Sequence, residues 1–85
     1  MIGFSYTIKD KTGIHARPAG FISKIARESK SEVVIEKDGK RVNAVKLMML
    51  MGLGVKCGDR ISVEVSGSDE QETFDKLKAF FEENL

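Results

Sequence analysis

The 85-residue sequence contains one cysteine, one histidine, one proline and no tryptophan. The lone Cys57 excludes a disulfide within the chain and indicates a reducing compartment. Without a second histidine, a second cysteine or clustered carboxylates, His15 cannot form an ordinary zinc site, so we expect no metal. No apolar run approaches the roughly 20 residues of a membrane-spanning helix, and the first residues lack the apolar segment of a signal peptide. These absences predict a cytoplasmic protein without membrane insertion.

The length and composition predict a single globular domain over residues 1–85, since 41% of the residues are apolar and 32% are charged. The net charge of +1 argues against a dedicated nucleic-acid-binding protein. The charges are nevertheless unevenly distributed. Residues 9–30 include six basic and two acidic side chains, whereas residues 67–85 include two basic and six acidic ones. This asymmetry favours an acidic partner or a phosphorylated ligand at the basic end, which contains His15.

Strands are predicted where side chains alternate between apolar and polar, over residues 2–8, 32–37 and 61–66. Asp38-Gly39 is typical of a two-residue hairpin turn, and it leads to a short charged edge strand over residues 40–43. Because the strands have one apolar and one polar face, we expect an antiparallel sheet that is covered on one side only.

Two longer helices are predicted from apolar residues at three- and four-residue spacing, one over residues 16–28 and one after Gly67. Ser68 and Gln71 match the capping box that opens such a helix. The predicted buried stripe of this last helix comprises Phe74, Leu77 and Phe81. With a short helix in between, the chain is expected to have an α+β fold with the order β-α-β-β-α-β-α.

The short helix is predicted over residues 46–51, where an apolar run is followed by glycines. A helix of two turns buries only one side on a sheet, so some of its large apolar residues must face solvent or a partner. We expect Leu50 to point inward with either Leu53 or Met49. Methionine is a flexible contact residue that suits a surface meeting several partners. The residues expected to be partly exposed are Leu47, Met48 and Met51.

The candidate site is the stretch Gly13-Ile14-His15-Ala16-Arg17-Pro18-Ala19. Proline is well tolerated in the first turn of a helix, so His15 is expected at or just before a helix N-terminus, with Ala16 and Pro18 in its first turn. Free backbone N–H groups and the positive end of the helix dipole favour an anion there, phosphate above all.

Phosphoryl transfer is the chemistry that best suits this stretch. The sequence contains no GxGxxG or Walker motif and no recognisable spacing of a catalytic triad. His15 can act instead as a covalent nucleophile that forms a phosphoramidate. Arg17 and the first-turn amides can then bind the phosphoryl oxygens.

These residues resemble the active-site signature of the HPr family, the histidine-containing phosphocarriers of the phosphoenolpyruvate-dependent sugar phosphotransferase system. The resemblance extends over essentially the whole chain and includes Asp38-Gly39-Lys40, Asn43 and Gly52-Leu53-Gly54. It implies an open-faced sandwich with sheet order 1-4-2-3. It also implies a carrier, not an enzyme with turnover of its own, that needs no cofactor. His15 would be phosphorylated at Nδ1 by enzyme I and would donate to enzyme IIA domains, while Arg17 contacts the phosphoryl group.

The resemblance further implies a partner-facing surface on the first two helices of a monomer, which comprises Gly20, Lys24, Arg27, Leu47, Met48 and Met51. One residue departs from the family pattern, because many relatives carry a regulatory serine where this chain has Lys46. Lys46 cannot accept that phosphate, although its charge could strengthen docking to an acidic partner.

Two other classes of function stay open. One is a specialised relative in a regulatory, nitrogen-type or dihydroxyacetone-type phosphorelay. The other is an RNA-binding or interaction module, which is disfavoured because the polar sheet face offers Ser5, Thr7, Ser62 and Glu64 in place of aromatic rings for base stacking.

Overall fold

The computed structural model describes residues 1–85, and its seven elements follow the predicted order. The elements are β1 Ile2–Thr7, α1 Ala16–Glu28, β2 Ser31–Lys37, β3 Lys40–Asn43, α2 Leu47–Gly52, β4 Arg60–Gly67 and α3 Glu70–Asn84. The strand boundaries differ from the prediction by one residue at four of their eight ends: β2 and β4 extend beyond the alternating pattern, and β1 ends one residue earlier than predicted.

The four strands form one antiparallel sheet in the order β1-β4-β2-β3, as the family resemblance implied. The β2–β3 hairpin turns at Asp38 and Gly39, whose φ angles are 51° and 84°. Both angles lie in the left-handed region that a two-residue hairpin turn requires, so the predicted turn is confirmed.

All three helices pack on one face of the sheet and close a single apolar core. Alternate residues of the central strands point into it, among them Val33, Ile35 and Val63, which are fully buried. Burial of each such side chain contributes roughly 1.5–3 kcal/mol. The core thereby holds α1 against the sheet and fixes the position of its N-terminus, where the candidate site lies.

The opposite face of the sheet is polar and carries Ser5, Thr7 and Ser62, as predicted. On this face the Arg41 guanidinium donates to the Glu64 carboxylate at 2.7 and 3.0 Å and to Glu36 at 2.9 Å. These hydrogen bonds hold the pKa of Glu64 below its usual range.

None of the helices is long and apolar enough to cross a membrane.

The predicted capping box at Ser68 and Gln71 is wrong. Helix α3 begins at Glu70, its N-cap residue is Asp69, and no side chain caps the helix. The Asp69 carboxylate instead accepts hydrogen bonds from the Lys30 N–H and the Ser31 hydroxyl at the start of β2. These bonds hold the pKa of Asp69 below its usual range. A tertiary contact has replaced the local cap.

Helix α2 is anchored by Leu50, which is fully buried, together with Leu53. Of the two residues proposed to accompany Leu50, Leu53 is therefore the correct one, since Met49 is 53% exposed. Leu47 and Met48 are exposed and Met51 is half-buried against the core, which agrees with the predicted partial exposure of these three residues. The short helix thus presents an apolar surface next to α1.

Candidate functional site

His15 is the N-cap residue of α1 and has extended backbone angles, φ −105° and ψ −170°. Its carbonyl accepts a hydrogen bond from the Ala19 N–H at 2.9 Å, which is the first bond of the helix. The imidazole is exposed and forms no capping bond with the backbone. The prediction that His15 lies at a helix start is confirmed, and its ring is free for chemistry.

The first turn of α1 presents unused hydrogen-bond donors beside this imidazole. The backbone N–H groups of Ala16 and Arg17 have no partner in the protein, and Pro18 has no N–H to satisfy. No acidic side chain lies in the first turn. Together with the helix dipole, these free amides favour an anion at the N-terminus of α1.

A cavity of about 620 Å³ opens onto the helix N-terminus, and both His15 and Arg17 line it. Arg17 is exposed and its guanidinium forms no hydrogen bond or ion pair within the chain, so it is available to a ligand. The two predicted reactive residues are therefore brought to the same place. The other lining residues are Asp10, Pro18, Phe21, Phe80 and Asn84.

Four of the lining residues, Asp10, Phe21, Phe80 and Asn84, belong to no motif that predicted the site. Phe80 and Asn84 come from the last turns of α3, which lie far from His15 along the chain. Only the packing of α3 beside α1 brings them together, and no local pattern signals that contact. Phe21 differs from a core residue in that it is 49% exposed. This exposure, like the contact between α1 and α3, is visible only in the structure.

The loop before His15 is fixed by hydrogen bonds that its backbone N–H groups donate. The Thr12 N–H donates to the Asp10 carboxylate at 3.0 Å, and the Ile14 N–H donates to the Val55 carbonyl at 3.1 Å. Gly13 has a φ of 73°, and a Cβ atom at this position would overlap the Val55 carbonyl oxygen. The close approach of the backbone at Gly13 to the backbone at Val55 thus fixes the position of His15 at the start of α1.

We expect the substitution Gly13→Ala to destabilise the fold by about 1–3 kcal/mol, because it adds a strained backbone angle to this overlap. Urea denaturation measures the loss. The substitution Gly39→Ala is the matched control, since its φ is also positive but a Cβ atom there meets nothing within 4 Å. Equal losses for the two variants would contradict the close-approach argument.

The residues predicted to face partners lie on α1, on α2 and between these two helices. Lys24, Arg27, Lys46 and Met48 are exposed, Leu47 is 37% exposed and Met51 is half-buried. A Cβ atom at Gly20 would meet nothing within 4 Å, so internal packing does not require this glycine. Lys46 is the N-cap residue of α2.

No group of three or more His, Cys, Asp or Glu side chains is placed to hold a metal ion.

Comparison with known proteins gives one family. The family model described as the phosphorylation site of the PTS HPr component matches residues 2–83. The chain is 40% identical to the HPr-like protein Crh of Bacillus subtilis over 85 residues, which span both proteins completely. It is 38% identical to the phosphocarrier protein HPr of Mycoplasma genitalium over 82 residues, 95% of this chain and 93% of that protein.

Solved structures show the same fold. A crystal structure of HPr from Thermoanaerobacter tengcongensis has a TM-score of 0.90 at 39% identity and covers 96% of this chain and 92% of that one. A second structure of HPr from the same organism, described as a dimer, has a TM-score of 0.76 at 40% identity and covers 92% and 90% of the two chains.

Proposed function

Because this chain belongs to the HPr family of phosphocarriers, we propose that it accepts a phosphoryl group from phosphorylated enzyme I on His15 and passes it to enzyme IIA domains. The observation that carries the proposal is the meeting of His15 and Arg17 in one open cavity at the unoccupied amides of a helix N-terminus. A nucleophile, a cation and free N–H donors are the three components that a transient phosphoryl site requires.

Each of the two transfers, onto His15 and then from His15, forms one bond to phosphorus and breaks one. A lone pair of the unprotonated imidazole, at Nδ1 by analogy with the family, attacks phosphorus. The bond between phosphorus and the donor atom of enzyme I breaks, and its electron pair stays with the donor. Arg17 and the N–H groups of Ala16 and Arg17 hold the phosphoryl oxygens of the resulting phosphoramidate. In the second step the acceptor attacks phosphorus, and the electron pair of the broken N–P bond returns to His15.

The proposed docking surface combines a basic stripe with an apolar patch. Lys24, Arg27 and Lys46 are exposed cations without ion-pair partners in the chain, which suits an acidic partner surface. Gly20 lies on α1 with Lys24 and Arg27, and the open space beside it leaves room for close approach of the partner. The apolar patch comprises Leu47, Met48 and the half-buried Met51. We propose that the chain docks as a monomer because this surface must stay free, although an HPr dimer is known from Thermoanaerobacter tengcongensis.

The test is a reconstituted relay. The chain is incubated with enzyme I and labelled phosphoenolpyruvate, freed of donor, and then mixed with a panel of purified enzyme IIA domains. We expect label to move from this chain to at least one IIA domain and to leave the carrier unmodified. Label that is incorporated but reaches no IIA domain, while it moves to a regulatory acceptor in a parallel reaction, would contradict the sugar-transport assignment.

A specialised regulatory relay is the second candidate, and the 40% identity to the HPr-like protein Crh favours testing it. Enzyme I proteins of sugar, nitrogen-type and dihydroxyacetone-type systems distinguish the candidates when they are offered in parallel. The enzyme that gives the fastest labelling identifies the relay.

We predict that a kinase that phosphorylates the regulatory serine of HPr relatives will not modify this chain, because Lys46 occupies that position. Mass spectrometry after incubation with such a kinase and ATP should show no added phosphate. The substitution Lys46→Ser is the positive control, and it should restore modification if the kinase still recognises the surrounding surface. Phosphate on a serine or threonine of the unaltered chain would refute this prediction.

A further inference from the structure

The cavity at His15 has an aromatic wall, formed by Phe21 of α1 and Phe80 of α3, that the phosphoryl chemistry does not use. The two ring centroids lie 5.7 Å apart. Phe21 is 49% exposed, an unusual exposure for a large apolar side chain beside a reactive histidine. The wall lies on the α3 side of α1, whereas the patch of Leu47, Met48 and Met51 belongs to α2.

This wall is anchored in the core. The Phe80 ring also packs against Phe81, at a centroid distance of 6.4 Å, and Phe81 is fully buried. Asn84, at the rim, is held by a hydrogen bond from its side-chain amide to the Phe80 carbonyl at 3.0 Å. The Phe80 part of the wall is therefore preorganised, so ordering it on binding would cost little free energy.

The occupant of the cavity follows from its composition. His15 lines the cavity, so any protein that exchanges a phosphoryl group with His15 must enter it. A volume of about 620 Å³ is far larger than a phosphoryl group needs, and the Phe21 and Phe80 rings that line part of it carry no charge that could bind a phosphate. That space suits an apolar side chain that stands next to the partner's own phosphoryl-bearing residue.

We propose that the phosphoryl-exchanging partners of this chain contact both sides of α1, and that an apolar side chain of the partner packs on Phe21 and Phe80. The last turns of α3 then belong to the docking surface, and Phe21 becomes a specificity-determining residue. This inference rests on the proposed function, because its occupant is the protein that phosphorylates or dephosphorylates His15.

The test compares two phosphoryl donors. We expect Phe21→Ala to lower kcat/KM for phosphorylation by enzyme I about tenfold, the effect of truncating an aromatic anchor at an interface. Phosphoramidate, a small donor that does not need the wall, should label Phe21→Ala and the unaltered chain at rates within about twofold of each other. Phe21→Leu should recover most of the loss, because it keeps an apolar side chain at the wall. Val34→Ala, a truncation on the opposite face of the sheet, should leave both rates unchanged.

Equal kcat/KM values for Phe21→Ala and the unaltered chain would overturn the inference. An equal loss with both donors would overturn it as well, because the effect would then lie in His15 itself. Chemical-shift changes of the amide signals in NMR spectra, on titration with unphosphorylated enzyme I, provide a second test of the docking surface. Shifts at Phe80 and Asn84 support the wall, and shifts confined to α1 and α2 refute it. If enzyme I does not label the unaltered chain at all, the proposed function fails, which is a different result.

Discussion

The substitution His15→Ala should abolish phosphoryl incorporation from enzyme I and leave the fold almost intact. The loss should be complete because the chain has no other histidine. The fold should survive because the imidazole is exposed and does not cap α1. Removal of such a side chain changes the free energy of unfolding by about 0.5 kcal/mol or less. Labelling with phosphoenolpyruvate, together with a urea melt of the same sample, measures both quantities.

The substitution His15→Asn is a matched variant that tests the same two quantities, labelling and stability. Asparagine is among the best N-cap residues, and it stabilises a helix by roughly 1 kcal/mol relative to alanine. We therefore expect His15→Asn to be more stable than His15→Ala and equally inactive. The chain would thus forgo a helix cap at this position in order to present an imidazole. Residual labelling of either variant would show that another residue accepts the phosphoryl group.

The substitution Phe81→Ala should produce the largest loss of stability, about 3–5 kcal/mol. Phe81 is fully buried, and its ring makes edge contacts with Phe4 and Tyr6 of β1 at centroid distances of 5.6 Å. A chain of this size has little stability in reserve, so this loss would remove most of it. Urea denaturation measures the effect, and Phe81→Leu should cost much less because it leaves a smaller cavity.

This loss should also affect the candidate site. Helix α3 ends beside the loop that precedes His15, where the Leu85 carbonyl accepts the Asp10 N–H at 2.8 Å. Loosening the end of α3 should therefore slow labelling by enzyme I even under conditions where Phe81→Ala is still folded. A loss of less than about 1 kcal/mol for Phe81→Ala would contradict the assigned role of this ring in the core.

The parts of the fold that were predictable are those with local causes. Pro18 in the first turn places the start of α1 after His15, and Asp38-Gly39 fixes the hairpin through its left-handed backbone angles. The strand order came from the family resemblance alone, because alternation shows that a strand has two faces and does not show its neighbours.

The parts that were missed depend on tertiary contacts. The expected cap of α3 failed because the Asp69 carboxylate binds the start of β2, a contact between residues distant in sequence. The choice between Leu53 and Met49 as the partner of Leu50 depends on how α2 sits on the sheet. The wall of Phe21 and Phe80 needs two helices to meet. The five-residue apolar run does not show how α2 sits on the sheet, and an isolated phenylalanine does not show which helices meet.

The most direct test of the proposed carrier role is to identify the phosphorylated atom after incubation with enzyme I and phosphoenolpyruvate. Nitrogen-15 NMR of the labelled imidazole, combined with peptide mass spectrometry, locates the bond. The expected result is one acid-labile phosphoryl group on Nδ1 of His15, which is lost again when an acceptor IIA domain is added. An acid-stable phosphate on a serine or threonine, or no incorporation into the folded chain, would contradict the proposal.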